Sequence, residues 1–207
     1  MKRFLLICFF CGLLPLQSAP LFNMAKILDA NTLEVKVLKD WHEVRGEVAT
    51  RQKLITIRVG ELVPGKEYRV PVRMVVPAKA KARGFHLTGG HNPAQFQQDL
   101  QPRGVDRTLL AGGVGLVQTV VQVLQVSGQR ELGRLADRRF VETLNPHYSI
   151  QYWGWPATLM RATTAAYAEK GHFEKGKVAA SGGSKNCLLY TSPSPRDQRG
   201  SRMPSSA

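Results

Sequence analysis

The sequence predicts an α/β protein in which an antiparallel β-meander precedes a mostly parallel sheet covered by helices. Between residues 30 and 77, apolar and polar residues alternate and short turns interrupt them, as in consecutive antiparallel strands. From residue 81 onward, strand and helix patterns alternate, which favours parallel strands joined by helices. A short apolar run at residues 178–180, typical of a buried strand, then leads into a Gly-Gly-Ser turn at residues 182–184. These three patterns together define the predicted fold class.

The meander contains three predicted strands. Leu33, Val35 and Val37 alternate with polar residues, as on a strand with one buried face, and the same pattern returns twice. The predicted strands are residues 32–38, 53–59 and 68–76. Pro71 has no N–H to donate, so it predicts an edge or irregular position for the third strand. Residues 41–50 are predicted to form a loop.

The α/β region contains two predicted strands before the final apolar run, and two predicted helices. The strands are residues 84–88 and 117–126, and the helices are residues 131–144 and 156–170. The second strand is rich in valine, which suits a central strand. Pro156 in the first turn and Gly171 just past the end delimit the second helix. The predicted apolar face of that helix comprises Leu159, Met160, Thr163 and Tyr167.

Ser184 is the candidate nucleophile. In serine hydrolases with an α/β sheet, the nucleophile lies in a strained turn between a strand and a helix, where neighbouring residues must be small. Gly182 and Gly183 meet that requirement. Asn186 occupies the position where a second glycine usually follows, and asparagine tolerates left-handed dihedrals better than most residues. An ordinary Gly-Gly-Ser loop is the alternative interpretation.

Gly89-Gly90-His91 follows a predicted strand, where one half of an oxyanion hole would lie. The candidate donors are the backbone N–H groups of Lys185, which follows the serine, and of Gly90 or His91. Glycine would let the chain approach the developing negative charge closely. The alternative is an ordinary Gly-Gly turn.

Several of these segments resemble the PhoPQ-activated pathogenicity-related family of α/β-hydrolases. The similar segments are Gly182-Gly183-Ser184-Lys185-Asn186, Val75-Val76-Pro77, Thr88-Gly89-Gly90-His91-Asn92 and Met160-Arg161-Ala162. The resemblance spans residues 44–186. It implies a secreted or periplasmic hydrolase with Ser184 as nucleophile, built on the first half of an α/β-hydrolase sheet up to the nucleophile turn. Cys187 stands where that family has glycine.

The residues from Cys187 onward have a different character. Residues 187–197 resemble a translated sequencing adapter, and the tail is rich in Ser, Pro and Arg without apolar periodicity. A natural disordered tail is the alternative. In this fold class the triad acid and histidine follow the serine, yet no histidine follows Ser184. The expectation is therefore a truncated, inactive hydrolase, unless an earlier histidine acts as base: His42, His86, His91, His147 or His172.

Residues 1–19 are predicted to be a signal peptide. Lys2 and Arg3 precede an apolar run at residues 4–16, which is followed by small residues and is short for a membrane span. Export to the periplasm or beyond, without stable membrane insertion after cleavage, is the expectation. The predicted organisation is a signal peptide at 1–19, a meander at 20–80, an α/β region at 81–186 and an artefactual disordered tail at 187–207. All three cysteines lie in the signal or the tail, which leaves the remainder without disulfides.

The formal net charge of +14 could indicate an acidic glycan, an anionic membrane surface or nucleic acid as partner. Nucleic acid is disfavoured because aromatic residues are not interleaved with the basic ones. The densest basic group has helical spacing and is predicted to be a solvated helix face: Arg130, Arg134, Arg138 and Arg139. The expected partner is a small-molecule ester or a peptide substrate. The alternative function is a non-catalytic exported protein that binds an acidic envelope or glycan component.

No cofactor or metal is expected. The histidines lack metal-ligand spacing, and His86 is predicted to be a hydrogen-bonded core or edge residue. The Gly113-Val114-Gly115 segment precedes a strand, whereas a dinucleotide fingerprint follows one. Four aromatic residues before the last helix are predicted to pack beneath it rather than to line a pocket: Tyr148, Tyr152, Trp153 and Trp155.

Overall fold

The computed structural model describes residues 20–122 and 128–182. The predicted signal peptide, Ser184, Lys185 and the predicted tail lie outside these ranges. The described residues form one mixed sheet of six strands with the order β1-β2-β3-β5-β4-β6. The strands are β1 (Lys36–Val44), β2 (Thr50–Val63), β3 (Lys66–Pro77), β4 (Phe85–Thr88), β5 (Gly115–Thr119) and β6 (Val178–Ser181). The helices are α1 (Met24–Leu28), α2 (Gly104–Ala111), α3 (Arg130–Thr143) and α4 (Trp155–Ala168).

The predicted meander is confirmed. Strand β2 pairs antiparallel with both β1 and β3, and β3 continues the sheet by pairing antiparallel with β5. The strand predicted at residues 32–38 starts later, because Ala30–Leu33 forms a 3-10 helix whose N-cap is the Asp29 side chain. The loop predicted at residues 41–50 is shorter than expected, since β1 extends to Val44.

Pro71 predicted an edge or irregular position for the third strand, and the edge part of that prediction is wrong. Strand β3 lies between β2 and β5. The pairing with β5 begins only at Val72, so the missing N–H of Pro71 lies just outside that ladder. The Pro71 carbonyl oxygen accepts a hydrogen bond of 2.7 Å from Thr119 Oγ1, which joins the two strands at this position.

The parallel part of the sheet is also confirmed. Strand β4 pairs parallel with β5 on one side and with β6 on the other. Every residue of β5 is buried, as a central position requires. The predicted burial of the last strand is wrong, because all four residues of β6 are exposed. Among the described strands β6 pairs with β4 alone and lies at the sheet edge.

Helix α4 packs on the sheet through small side chains. Residues on its buried side include Ala157, Ala162, Ala165 and Ala166, together with Arg161. The predicted apolar face is therefore displaced: Leu159 is buried, whereas Tyr167 is only partly so. Alanine lets the helix axis approach the sheet closely, so small residues form this contact.

The aromatic residues before α4 separate into two groups. Trp153 and Trp155 are buried and belong to the main hydrophobic core, as packing predicts. Tyr152 is 59% exposed and does not share that environment. A π-helical turn, Ile150–Gly154, contains Trp153 and leads directly into α4, whose first residue is Trp155.

Candidate active site

The carboxyl ends of β5, β4 and β6 lie at the same edge of the sheet, because the three strands are parallel. Thr88 at the end of β4 is in register with Gln118 on β5 and with Ser181 on β6. Gly182 is the last described residue, and Ser184 follows two positions later. The carboxyl edge of a parallel sheet is the usual place for a binding site in α/β proteins. The segment Gly89-Gly90-His91 begins at this edge.

Gly89 is required by packing. A Cβ atom at this position would lie 2.5 Å from Val121 Cγ1 and 2.9 Å from Leu159 Cδ2. Its carbonyl oxygen accepts a hydrogen bond of 2.9 Å from Val121 N–H. Close packing between the end of β4 and helix α4 therefore accounts for the first glycine of the pair.

Gly90 and His91 lie directly beyond this packed position. Gly90 forms an isolated antiparallel bridge with Val120, just past the end of β5. The His91 side chain turns back on its own loop, where Nε2 lies 2.6 Å from Thr88 Oγ1. Phe96 packs edge-on against the His91 ring with centroids 6.1 Å apart. The segment with the candidate oxyanion donors is thus attached both to the sheet and to the loop that follows.

His86 contacts the strand that leads to Ser184. Its Nε2 lies 2.7 Å from Ser181 Oγ, across the parallel pair β4 and β6. Its Nδ1 is buried and has no hydrogen-bond partner among the described residues. This agrees with the predicted hydrogen-bonded core or edge histidine, and the contact connects β4 to β6 three residues before Ser184 in the sequence.

The other histidines are engaged elsewhere. His42 Nε2 lies 2.9 Å from Asp99 Oδ1, and His147 Nε2 lies 2.9 Å from the carbonyl oxygen of Glu61. The His172 ring stacks on Trp41 at a centroid distance of 3.8 Å. In the part of the chain that the structure describes, therefore, only His86 and His91 lie at the edge where β4 and β6 end.

Arg73 on β3 is a residue of this region that the sequence analysis did not identify. It is only 4% exposed and contacts the loop after His91. The available signal was a charged residue inside the otherwise apolar run at residues 70–76. On an internal strand such a charge must find polar partners.

Within the ranges 20–122 and 128–182, no group of three or more His, Cys, Asp or Glu side chains is arranged to hold a metal ion. Over the same residues, none of the helices combines the length and apolar character needed to cross a membrane.

The predicted basic helix face lies on α3, where Arg134 and Arg139 are exposed.

We expect the protein to lose stability in mild acid because of His91 and His172, two partly buried histidines. Burial lowers the pKa of His91 and of His172 below the ordinary value near 6.5. The unfolded chain therefore binds more protons than the folded one as the pH falls below about 6.5, and the free energy of unfolding decreases. Urea unfolding at pH 7.5 and pH 5.5 measures this decrease. The double variant His91→Gln/His172→Gln should show a smaller decrease, and an unchanged pH dependence would contradict this assignment.

Comparisons with known proteins find similar structures but no match by sequence. No protein-family model matches the sequence, and no curated protein matches it. Among solved structures, the chain is similar to a CE15 glucuronoyl esterase from Teredinibacter turnerae, with 12% identity over 76% of this chain and 42% of that one, at a TM-score of 0.48. A glucuronoyl esterase from Solibacter usitatus gives 16% identity over 78% of this chain and 52% of that one, at a TM-score of 0.44.

A third similar structure is a proposed acetyl xylan esterase from Bacteroides fragilis. It gives 15% identity over 80% of this chain and 46% of that one, at a TM-score of 0.48. The chain thus spans about half the length, or less, of these three structures.

Proposed function

We propose that this chain carries the nucleophile and the oxyanion donors of an exported serine hydrolase that acts on an ester or peptide. The observation that carries the proposal is the parallel pairing of β4 with β6. Because of it, the Gly90–His91 segment and Ser184 follow adjacent strands that end at the same edge. A strand–turn nucleophile beside a loop that supplies backbone N–H groups is the arrangement of α/β-hydrolases. Membership of the PhoPQ-activated family and export through residues 1–19 are parts of this proposal.

The chemistry follows from these positions. Ser184 Oγ would attack the carbonyl carbon of the substrate, and the carbonyl oxygen would take up negative charge. The N–H of Lys185 and that of Gly90 or His91 would stabilise this charge by hydrogen bonds directed at the developing oxyanion. The serine must lose its proton to a base within hydrogen-bond reach.

The base is the part that the chain does not supply. The 207 residues contain no histidine after Ser184. At the shared edge, His86 Nε2 is occupied by Ser181 Oγ and His91 Nε2 by Thr88 Oγ1. We therefore propose that the 207-residue chain is a truncated form of a longer hydrolase, called the complete product below, and that by itself it is inactive or nearly so.

A fluorophosphonate probe tests the proposal on two samples, the 207-residue chain and the product of the complete gene. We expect covalent labelling of the complete product, mapped by mass spectrometry to Ser184. Ser184→Ala should abolish labelling and lower kcat/KM for a simple aryl ester by about a thousandfold or more. The 207-residue chain should label only at background level.

Ser181→Ala is the matched control, since Ser181 is a nearby hydroxyl that already contacts a histidine. This variant should retain labelling at Ser184. Labelling that maps to Ser181, or a folded complete product that does not react at all, would contradict the proposal.

A further inference from the structure

Arg73 places a buried positive charge beneath the loop that follows the candidate oxyanion segment. It projects from β3, in register with Gln118 of β5, and is 4% exposed. Its Nη2 donates hydrogen bonds of 2.5 Å to the carbonyl oxygens of Gln95 and Gln98, and Nη1 lies 3.4 Å from Gln118 Oε1. One guanidinium thus connects two points of the loop to the central sheet.

Arg73 makes no salt bridge within the described residues, although the carboxylate of Asp99 is near enough to favour its charged form. Its hydrogen-bond partners in the described part of the chain are amide oxygens, and no carboxylate is among them. The Phe96 ring lies below the guanidinium, with its centroid 5.0 Å from Cζ. Burial lowers the pKa of Arg73, as expected for a desolvated charge. An arginine buried in this way is costly, and lysine cannot reproduce its two-point contact.

The contacts continue from Arg73 to the site. Phe96 packs against the ring of His91, and His91 Nε2 contacts Thr88 Oγ1 at the end of β4. Between them, Asn92 and Gln95 form a capping box that starts the 3-10 turn Pro93–Phe96. Each contact joins neighbours along one short loop, so a shift of Phe96 would be transmitted to His91 and Gly90.

We propose that Arg73 is a positioning residue that holds residues 89–98 against the sheet and thereby fixes the backbone amides of Gly90 and His91. Its effect on catalysis rests on the proposed function, because it acts through the oxyanion donors. Its effect on the loop does not depend on that function. The two consequences are therefore measured separately.

The experiment compares Arg73→Lys with Arg161→Lys in the complete gene product. Arg161 is the matched control, since it is also buried and binds backbone carbonyls, but its partners lie between residues 26 and 58. The readouts are the fluorophosphonate labelling rate per folded molecule and amide hydrogen exchange of residues 89–98. Both are measured at a temperature where circular dichroism shows the variants folded.

We expect Arg73→Lys to lower the labelling rate at Ser184 about tenfold or more, since small displacements of catalytic groups strongly reduce the reaction rate. Exchange in residues 89–98 should rise at the same time. Arg161→Lys should lower stability while both readouts stay within about twofold of the wild type. Unchanged exchange in residues 89–98 of folded Arg73→Lys would overturn the proposal. Raised exchange with an unchanged labelling rate would overturn its catalytic part alone, and absence of labelling in the wild type would instead reject the proposed function.

Discussion

Replacement of Arg161 by methionine is expected to lower the free energy of unfolding by about 3–5 kcal/mol. Arg161 is 2% exposed and lies on the buried side of α4. Its Nη1 donates to the carbonyl oxygens of Lys26 and Asp29 at 2.9 and 3.1 Å. Its Nη2 donates to those of Thr32 and Arg58 at 2.5 and 3.1 Å. Methionine fills much of the same volume but donates none of these hydrogen bonds to the partly buried carbonyl oxygens.

The loss should be concentrated in one region. Helix α1 and the 3-10 helix Ala30–Leu33 are attached to α4 through Arg161, so their backbone amides should lose protection from hydrogen exchange first. Urea unfolding monitored by circular dichroism measures the free energy. Arg134→Met is the control, because Arg134 is exposed and forms a surface ion pair with Glu131, and it should change stability by less than about 0.5 kcal/mol. Equal losses in the two variants would contradict the role given to Arg161.

Replacement of Gly84 by alanine is expected to cost about 2–4 kcal/mol and to displace β6 from β4. Gly84 has a φ of +155°, a conformation that residues with a side chain rarely adopt. A Cβ atom there would lie 2.5 Å from the backbone oxygen of Lys177, the residue before β6. That oxygen accepts a hydrogen bond of 3.0 Å from Phe85 N–H, so the clash falls on the start of the parallel pairing. Backbone cannot move aside as a flexible side chain can.

The consequence for the site distinguishes this variant from a general loss of stability. Under the proposed function, displacement of β6 should also reduce fluorophosphonate labelling of the folded complete product at Ser184. Gly171→Ala is the control, since its added Cβ has no atom within 4 Å among the described residues beyond its chain neighbours, and it should leave both stability and labelling nearly unchanged. A Gly84→Ala protein with wild-type stability would show that β4 and β6 are not held at this distance.

The positions of the candidate site residues could be predicted from the sequence only in part. The local pattern predicted that Gly89 and the Gly-Gly-Ser segment each follow a strand. The structure has strands at both places, β4 before Gly89 and β6 at Val178–Ser181. The pairing of β4 with β6 was not predictable, because about ninety residues of chain separate the two strands and pairing is decided by packing rather than by local pattern. Ser184 and Lys185 lie outside the described residues, so their roles stay predictions.

Local pattern by itself determined the class of the fold. Side-chain alternation and turn residues depend on near neighbours in the chain, and they were enough to define the meander, the strands β4 and β5, and the helices α3 and α4. Only the tertiary structure decided that Pro71 lies on an internal strand, that β6 is an exposed edge among the described strands, and that Arg73 and Arg161 are buried. These features depend on contacts between distant parts of the chain, such as the bond from Arg161 to Lys26, which spans 135 residues. The apolar run around Arg73 indicates a buried position, but the sequence does not show which carbonyl oxygens the fold brings to either arginine.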